Sequence, residues 1–280
     1  MPNEQLSNTA PQRSWWVPLL TVVLTPVYYL VPWEHFDSGG AFAGIPFLVL
    51  YAVLLPGAGI SAHLFPRATD VLDKFTAAAL TGMTFFLGVA FVWALTGTPL
   101  GMFRLLLPVA LIAAAAICYL VRPQTAGALA VPVTGYNRLL LGAFALFLVW
   151  VFVIVLRGGI PIGFRADTLD HVAYVAEIRD TQAAFPTTEF YLNPGSNGED
   201  LRKGLLHVFY GFGVSYLGVS PAGFLDGINA FFAVILLLSV YSAGLLLFRH
   251  RAIAVLAAFV FLIGVDRGLD GTMIRQSFYS

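Results

Sequence analysis

Apolar residues fall in blocks of about 20, separated by short polar joints, along most of the chain. Seven blocks have this character: residues 15–33, 41–65, 75–97, 105–121, 139–156, 223–248 and 252–265. Each predicts a helix, because a segment crossing hydrocarbon must satisfy its own backbone hydrogen bonds. Trp15, Trp16 and Trp33 sit at the two ends of the first block, where indole rings anchor a span at the interface. Arginines close both ends of the fourth block (Arg104 and Arg122) and of the fifth (Arg138 and Arg157).

The pattern breaks at length only over residues 157–222. Here Asp167, Asp170, His171, Tyr174 and Glu177 recur at spacings of three and four, which predicts a helix over 167–180 lying at the membrane surface. Leu169, Val172, Ala173 and Ala176 form its apolar face, and the five polar residues run along an adjacent one. Pro186 bounds it, residues 185–192 read as extended and aromatic-rich, and 193–198 carry turn signals throughout. The acids of that turn do not follow the spacing of a calcium loop. Residues 205–219 are apolar but number too few for a span, and hold His207, Gly211, Gly213 and Gly218. They read as a helix that lies on or dips into the membrane. Asp226 reads as exposed or as a cap at the start of the next span. The expected fold is an all-α polytopic membrane protein with about seven transmembrane helices plus an external juxtamembrane helical segment.

Composition agrees. Of 280 residues, 59% are hydrophobic and 11% charged, with mean hydropathy +0.83, whereas soluble domains carry about 25% charged residues. Fifteen basic and fifteen acidic residues leave a net charge of zero, so nothing points to nucleic acid. Cys118, the only cysteine, excludes a disulfide framework and a thiolate metal site. The short joints set the orientation: Arg13, the Arg67–Lys74 joint and the Arg122–Arg138 joint are basic, whereas the joint with Glu34 and Asp37 carries no Lys or Arg. The amino terminus is then cytoplasmic and loop 157–222 extracytoplasmic. Arg249 and Arg251 read as cytoplasmic topology determinants, provided residues 205–219 do not cross, and Arg104 alone dissents from the pattern. The Pro- and Gly-containing joint 122–138 divides the chain into an amino-terminal four-span region, 1–134, and a second region, 135–280.

A carboxylate held at a membrane surface can take a proton from a hydroxyl acceptor, a contribution of roughly 10²–10⁴-fold, and partial burial raises its pKa toward neutrality. Arginines beside it can hold a phosphate leaving group. Asp167, Asp170 and His171 are the catalytic candidates; Arg165, Tyr174, Arg202 and His207 are the substrate-binding ones. His171 has no second histidine at ligand spacing, so no zinc site is expected.

The order of these features resembles the amino-terminal part of the GT-C superfamily of integral membrane glycosyltransferases. A span is followed by Asp-x-x-x-His-x-x-Tyr (Asp167, His171, Tyr174), then an aromatic and proline stretch. Gly204-Leu-Leu-His207 opens a short apolar helix, and a span closes on an arginine-rich turn, Tyr241 to Arg251. The likeness covers about residues 136–280 and is greatest to bacterial multi-span members of unassigned substrate. It implies transfer of a sugar from a polyprenyl-phosphate-type carrier to an extracytoplasmic acceptor at the bacterial cytoplasmic membrane, with Asp167, or else Asp170, as base. Membrane lipid and a polyprenyl-linked sugar donor are the implied partners; protein partners are not indicated. No cofactor is required, although some such enzymes place a divalent cation on their acids, here Asp167 and Asp170. Four spans precede the family's usual first span and its later spans do not follow, so the chain reads as truncated at the carboxyl end. The alternative is a non-catalytic membrane scaffold or a transporter component. Against transport stands the absence of a visible inverted repeat, of a charge pair buried in a span and of a span broken by Gly or Pro at mid-membrane.

Overall fold

A computed structural model of the chain describes residues 15–33, 38–65, 70–121, 135–158, 166–186 and 204–266. Every element among them is helical: α1 Trp16–Leu30, α2 Ser38–Leu48, a π turn Val49–Leu54, α3 Leu55–Leu64, α4 Val71–Ala94, α5 Leu100–Leu120, α6 Gly135–Gly158, α7 Ala166–Thr181, α8 Gly204–Leu217, α9 Pro221–Phe248 and α10 Arg251–Asp266. Five stretches are long and apolar enough to cross a membrane: Ala43–Leu64, Val71–Ala94, Leu100–Leu120, Asn137–Leu156 and Pro221–Phe248. The chain is therefore an all-α integral membrane protein. Two blocks expected as spans form shorter helices, α1 of 15 residues and α10 of 16. The first block stops early because Pro32 forces Val31 out of the helical region (ψ 114°).

The helix starts follow local chemistry. Asp70 Oδ1 accepts from the Asp73 amide (2.9 Å), which starts α4 four residues ahead of its apolar block. Ser220 caps α9 through the Gly223 amide, with Pro221 at the first position. Asp226, expected to be exposed or to cap this helix, lies a turn and a half further in and is partly buried. The second span is not a plain helix. Pro56 has no N–H and its ring crowds the carbonyl one turn back, and the register upstream slips so that the Leu55 amide donates to the Leu50 carbonyl, five residues away.

Small residues set the closest approaches. A Cβ at Gly82 would sit 1.8 Å from the Val53 carbonyl oxygen, and one at Gly57 would sit 1.8 Å from that of Ala78, so α3 and α4 touch backbone to backbone. The glycines of α8 work the same way. A Cβ at Gly211 would lie 2.4 Å from Ile178 of α7, and one at Gly213 would lie 2.2 Å from Phe224 of α9. Helix α8 is consequently buried on nearly all sides, from His207 to Leu217. It is enclosed by α2, α4, α5, α7 and α9. One apolar core joins α1–α5 to α7, α8 and the start of α9, and a second joins α6, α10 and the rest of α9.

The two ends of the bundle differ. At one end the Tyr28 and Tyr29 hydroxyls of α1 donate to the Arg104 and Leu105 carbonyls of α5. The Leu100 amide donates to the Gln182 carbonyl just past α7. At the other end the Arg251 side chain, which is fully buried, donates through Nε to Asp70 Oδ2 (3.4 Å), and the Tyr241 hydroxyl donates to the same oxygen (2.6 Å). Arg251, read as a topology determinant, is also half of a buried ion pair that ties α10 and α9 to the start of α4. The pair sits at helix ends and not within a span.

Candidate functional site

Helix α7 matches the helix expected over 167–180 but turns a different face inward. Among its described side chains His171, Tyr174, Val175 and Ile178 are buried, the last three at steps of three, four and seven from the first, and Val172, Ala173 and Ala176 are only partly covered. The residues assigned to the polar face thus include the ones that dock on α8. The reason is the partner. Gly211 leaves a notch that Ile178 fills, and His207, one turn earlier on α8, gives His171 a hydrogen-bonding partner.

His171 Nδ1 lies 2.7 Å from His207 Nε2, and both residues are only 6% exposed. One nitrogen carries the hydrogen and the other accepts it, so two neutral rings share one tautomer here, both Nδ1–H or both Nε2–H. The rings lie nearly parallel, with centroids 4.9 Å apart. Tyr174 meets His207 edge to face at 5.5 Å, and Tyr210 does so at 5.8 Å. The cluster is a buried pair of imidazoles walled by two phenols at the α7–α8 seam. Tyr210 was missed by sequence reasoning, yet a signal was there. Each helix carries His-x-x-Tyr, 171–174 in α7 and 207–210 in α8, and matching three-residue steps put both rings on one face.

Asp167 falls in the first turn of α7, one turn before His171, and Asp170 directly precedes His171. Their side chains lie outside the described residues, as do Arg165 and Arg202 altogether. Of the seven candidates, the structure therefore brings together His171, Tyr174 and His207. Further along α7, partial burial pushes the Glu177 carboxyl above its ordinary range, so it keeps its proton to higher pH than a free glutamate. A hydrogen bond from Arg179 Nε (2.7 Å) holds the exposed Asp180 carboxyl below its usual range; solvent screens that pair, and it adds little to stability.

Among the described residues no three His, Cys, Asp or Glu side chains gather as a metal set. The 2.7 Å separation of the two histidine nitrogens is a hydrogen bond; two nitrogens bound to one ion at about 2.0–2.1 Å each would stand further apart. A second histidine does meet His171, from a position 36 residues away, although none stands at ligand spacing along the helix.

Chemically, the two buried imidazoles share one hydrogen across this contact, and each can act as donor or acceptor. Comparison with family models, with curated proteins and with solved structures finds no match to this chain.

Proposed function

We propose that the chain is a membrane glycosyltransferase-like protein of GT-C type. It transfers a sugar from a polyprenyl-phosphate-type carrier to an acceptor on the extracytoplasmic side, with Asp167 as base and Asp170 as its alternative. The observation that supports this most is the meeting of His171 and His207. The two motifs that carry the resemblance lie on separate helices, and the fold packs those helices together through these side chains. A base one turn before His171 would have a proton carrier within reach of its own helix. Arg165 and Arg202 are assigned to the phosphate of the donor.

In this reading α1 and α10 also cross, giving seven spans, and α8 does not. A 14-residue helix reaches only about 21 Å, short of a hydrocarbon core of about 30 Å. Both ends of α8 also meet residues from the Arg104 end of the bundle: His207 meets α7, and Tyr216 lies beneath Arg104. The charge bias puts that end outside and the Asp70–Arg251 end in the cytoplasm.

The test is transfer of labelled sugar from polyprenyl-phosphate donors by membranes carrying the protein expressed from its natural reading frame. Asp167→Asn is expected to lower transfer by about 10²–10⁴-fold with the thermal unfolding midpoint unchanged. Full transfer in Asp167→Asn and in Asp170→Asn would reject the assigned bases. A transporter component is the second reading, favoured by the buried π turn at the middle of the second span. Solute flux in proteoliposomes, with no sugar transfer, would replace the first reading by this one.

A further inference from the structure

Arg104 is the cation that the charge bias leaves unexplained, and its surroundings supply a reason for it. Its turn of α5 is pinned to the end of α1, because the Tyr28 hydroxyl donates to its carbonyl (3.0 Å) and the Tyr29 hydroxyl to that of Leu105 (3.1 Å). Its guanidinium carbon lies 5.1 Å from the centre of the Tyr216 ring, a cation–π contact. Tyr216 is itself fixed. Its hydroxyl accepts from Trp33 Nε1 (3.0 Å) and donates to the Tyr28 carbonyl (2.9 Å), and its ring stacks on Tyr28 at 4.6 Å. The ring holds the face of the guanidinium and leaves its edge. Among the described residues no carboxylate pairs with Arg104, and no side chain or carbonyl accepts from it. Five N–H donors in a planar fork are thus held in place, half-buried, without an acceptor among the described residues.

Two features identify what the edge would meet. Leu105 and Val109, on the same helix, are exposed apolar residues facing the surroundings of the bundle. Tyr29, an exposed aromatic, marks the level where such residues collect beside lipid headgroups. An anion arriving here has headgroup above and hydrocarbon below. The planar fork matches a phosphate bidentately and holds it better than a point charge does.

We infer that the Arg104 guanidinium, set on the Tyr216 ring, is a binding site for the phosphate of a membrane lipid in the leaflet at the α7–α8 end of the bundle. The site stands on the geometry of α1, α5 and α8 and does not depend on the transferase reading. Bulk phospholipid and a phosphorylated isoprenoid offer the same phosphate chemistry on an apolar tail.

Native mass spectrometry of the detergent-purified protein tests this, with titrations of phosphatidylglycerol, farnesyl monophosphate and inorganic phosphate. Wild type is expected to retain one equivalent of lipid phosphate. Arg104→Gln is expected to bind it about ten- to a hundredfold more weakly, the loss of charge-assisted hydrogen bonds. Arg104→Lys, which keeps the charge and loses the fork, should fall between the two and serves alone if the glutamine variant does not fold. Arg138→Gln, at the other end of the bundle, should bind as wild type does. Preference for farnesyl monophosphate over phosphatidylglycerol would assign the site to a carrier, and equal affinity would assign it to bulk lipid; both support the site. It is overturned by wild-type affinity in both Arg104 variants, by an equal loss in Arg138→Gln, or by inorganic phosphate binding as tightly as the lipids.

Discussion

Asp70→Ala is expected to destabilise the protein by about 3–5 kcal/mol, enough to abolish a recoverable fold in a marginally stable chain. The size follows from what the carboxylate holds. Its Oδ2 receives both the Arg251 guanidinium and the Tyr241 hydroxyl, and its Oδ1 caps the first turn of α4. Removing it takes the carboxylate from a cation with a fully buried side chain, takes that acceptor from a buried phenol, and uncaps a helix. Arg251→Met should cost less, because Asp70 keeps the Tyr241 and Asp73 donors. The double variant Asp70→Asn, Arg251→Met should be more stable than the sum of the singles predicts, since it leaves no buried charge behind. Thermal unfolding in detergent, followed by size-exclusion fluorescence, measures the set. Strict additivity would mean that the pair is not coupled.

The second large effect concerns α3 and α4. Gly82→Ala puts a carbon where the Val53 carbonyl oxygen already is, and a backbone atom cannot swing aside as a side-chain end can. The cost should lie at or above the top of the roughly 1–3 kcal/mol that overpacking usually carries, and Gly82→Val should give no monodisperse protein. Gly88, on the same helix, has nothing within 4 Å of a built Cβ. Gly88→Ala should therefore be neutral or stabilising by about 0.5–1 kcal/mol through helix propensity alone. Equal behaviour of the two alanine variants would show that α3 and α4 are not in backbone contact.

Much of the helical frame is legible in the sequence, because a membrane-length apolar run leaves the backbone one option. The five long stretches and both short helices α7 and α8 follow from blocks, periodicity and prolines. What the sequence conceals is partner identity. Asp70 and Arg251 stand 181 residues apart, and each reads alone as a polar residue near a basic joint. His171 and Tyr174 look like a wet face, since polarity along one helix does not reveal that a second helix arrives with a matching His and Tyr. The glycines of α8 weaken its case as a span, and their spatial purpose, room for Ile178 and Phe224, appears only once the neighbours are placed. Trp33 reads as a lipid anchor, yet its indole N–H is bound inside, to Tyr216. For the site the balance is similar. The sequence offers His171 as a catalytic candidate and Tyr174 and His207 as substrate-binding ones, and only the packing of α7 on α8 brings the three together.

The central claim is that α9 alone crosses between α7 and α10, so the His171–His207 seam and the Asp70–Arg251 pair face opposite sides. Single cysteines at Asp180 and at His250, both exposed positions, in a Cys118→Ser background test it most directly. In intact cells a membrane-impermeant maleimide should label Asp180→Cys and leave His250→Cys unlabelled until the membrane is opened. Labelling of both from outside would mean that α8 crosses as well, and would contradict the account.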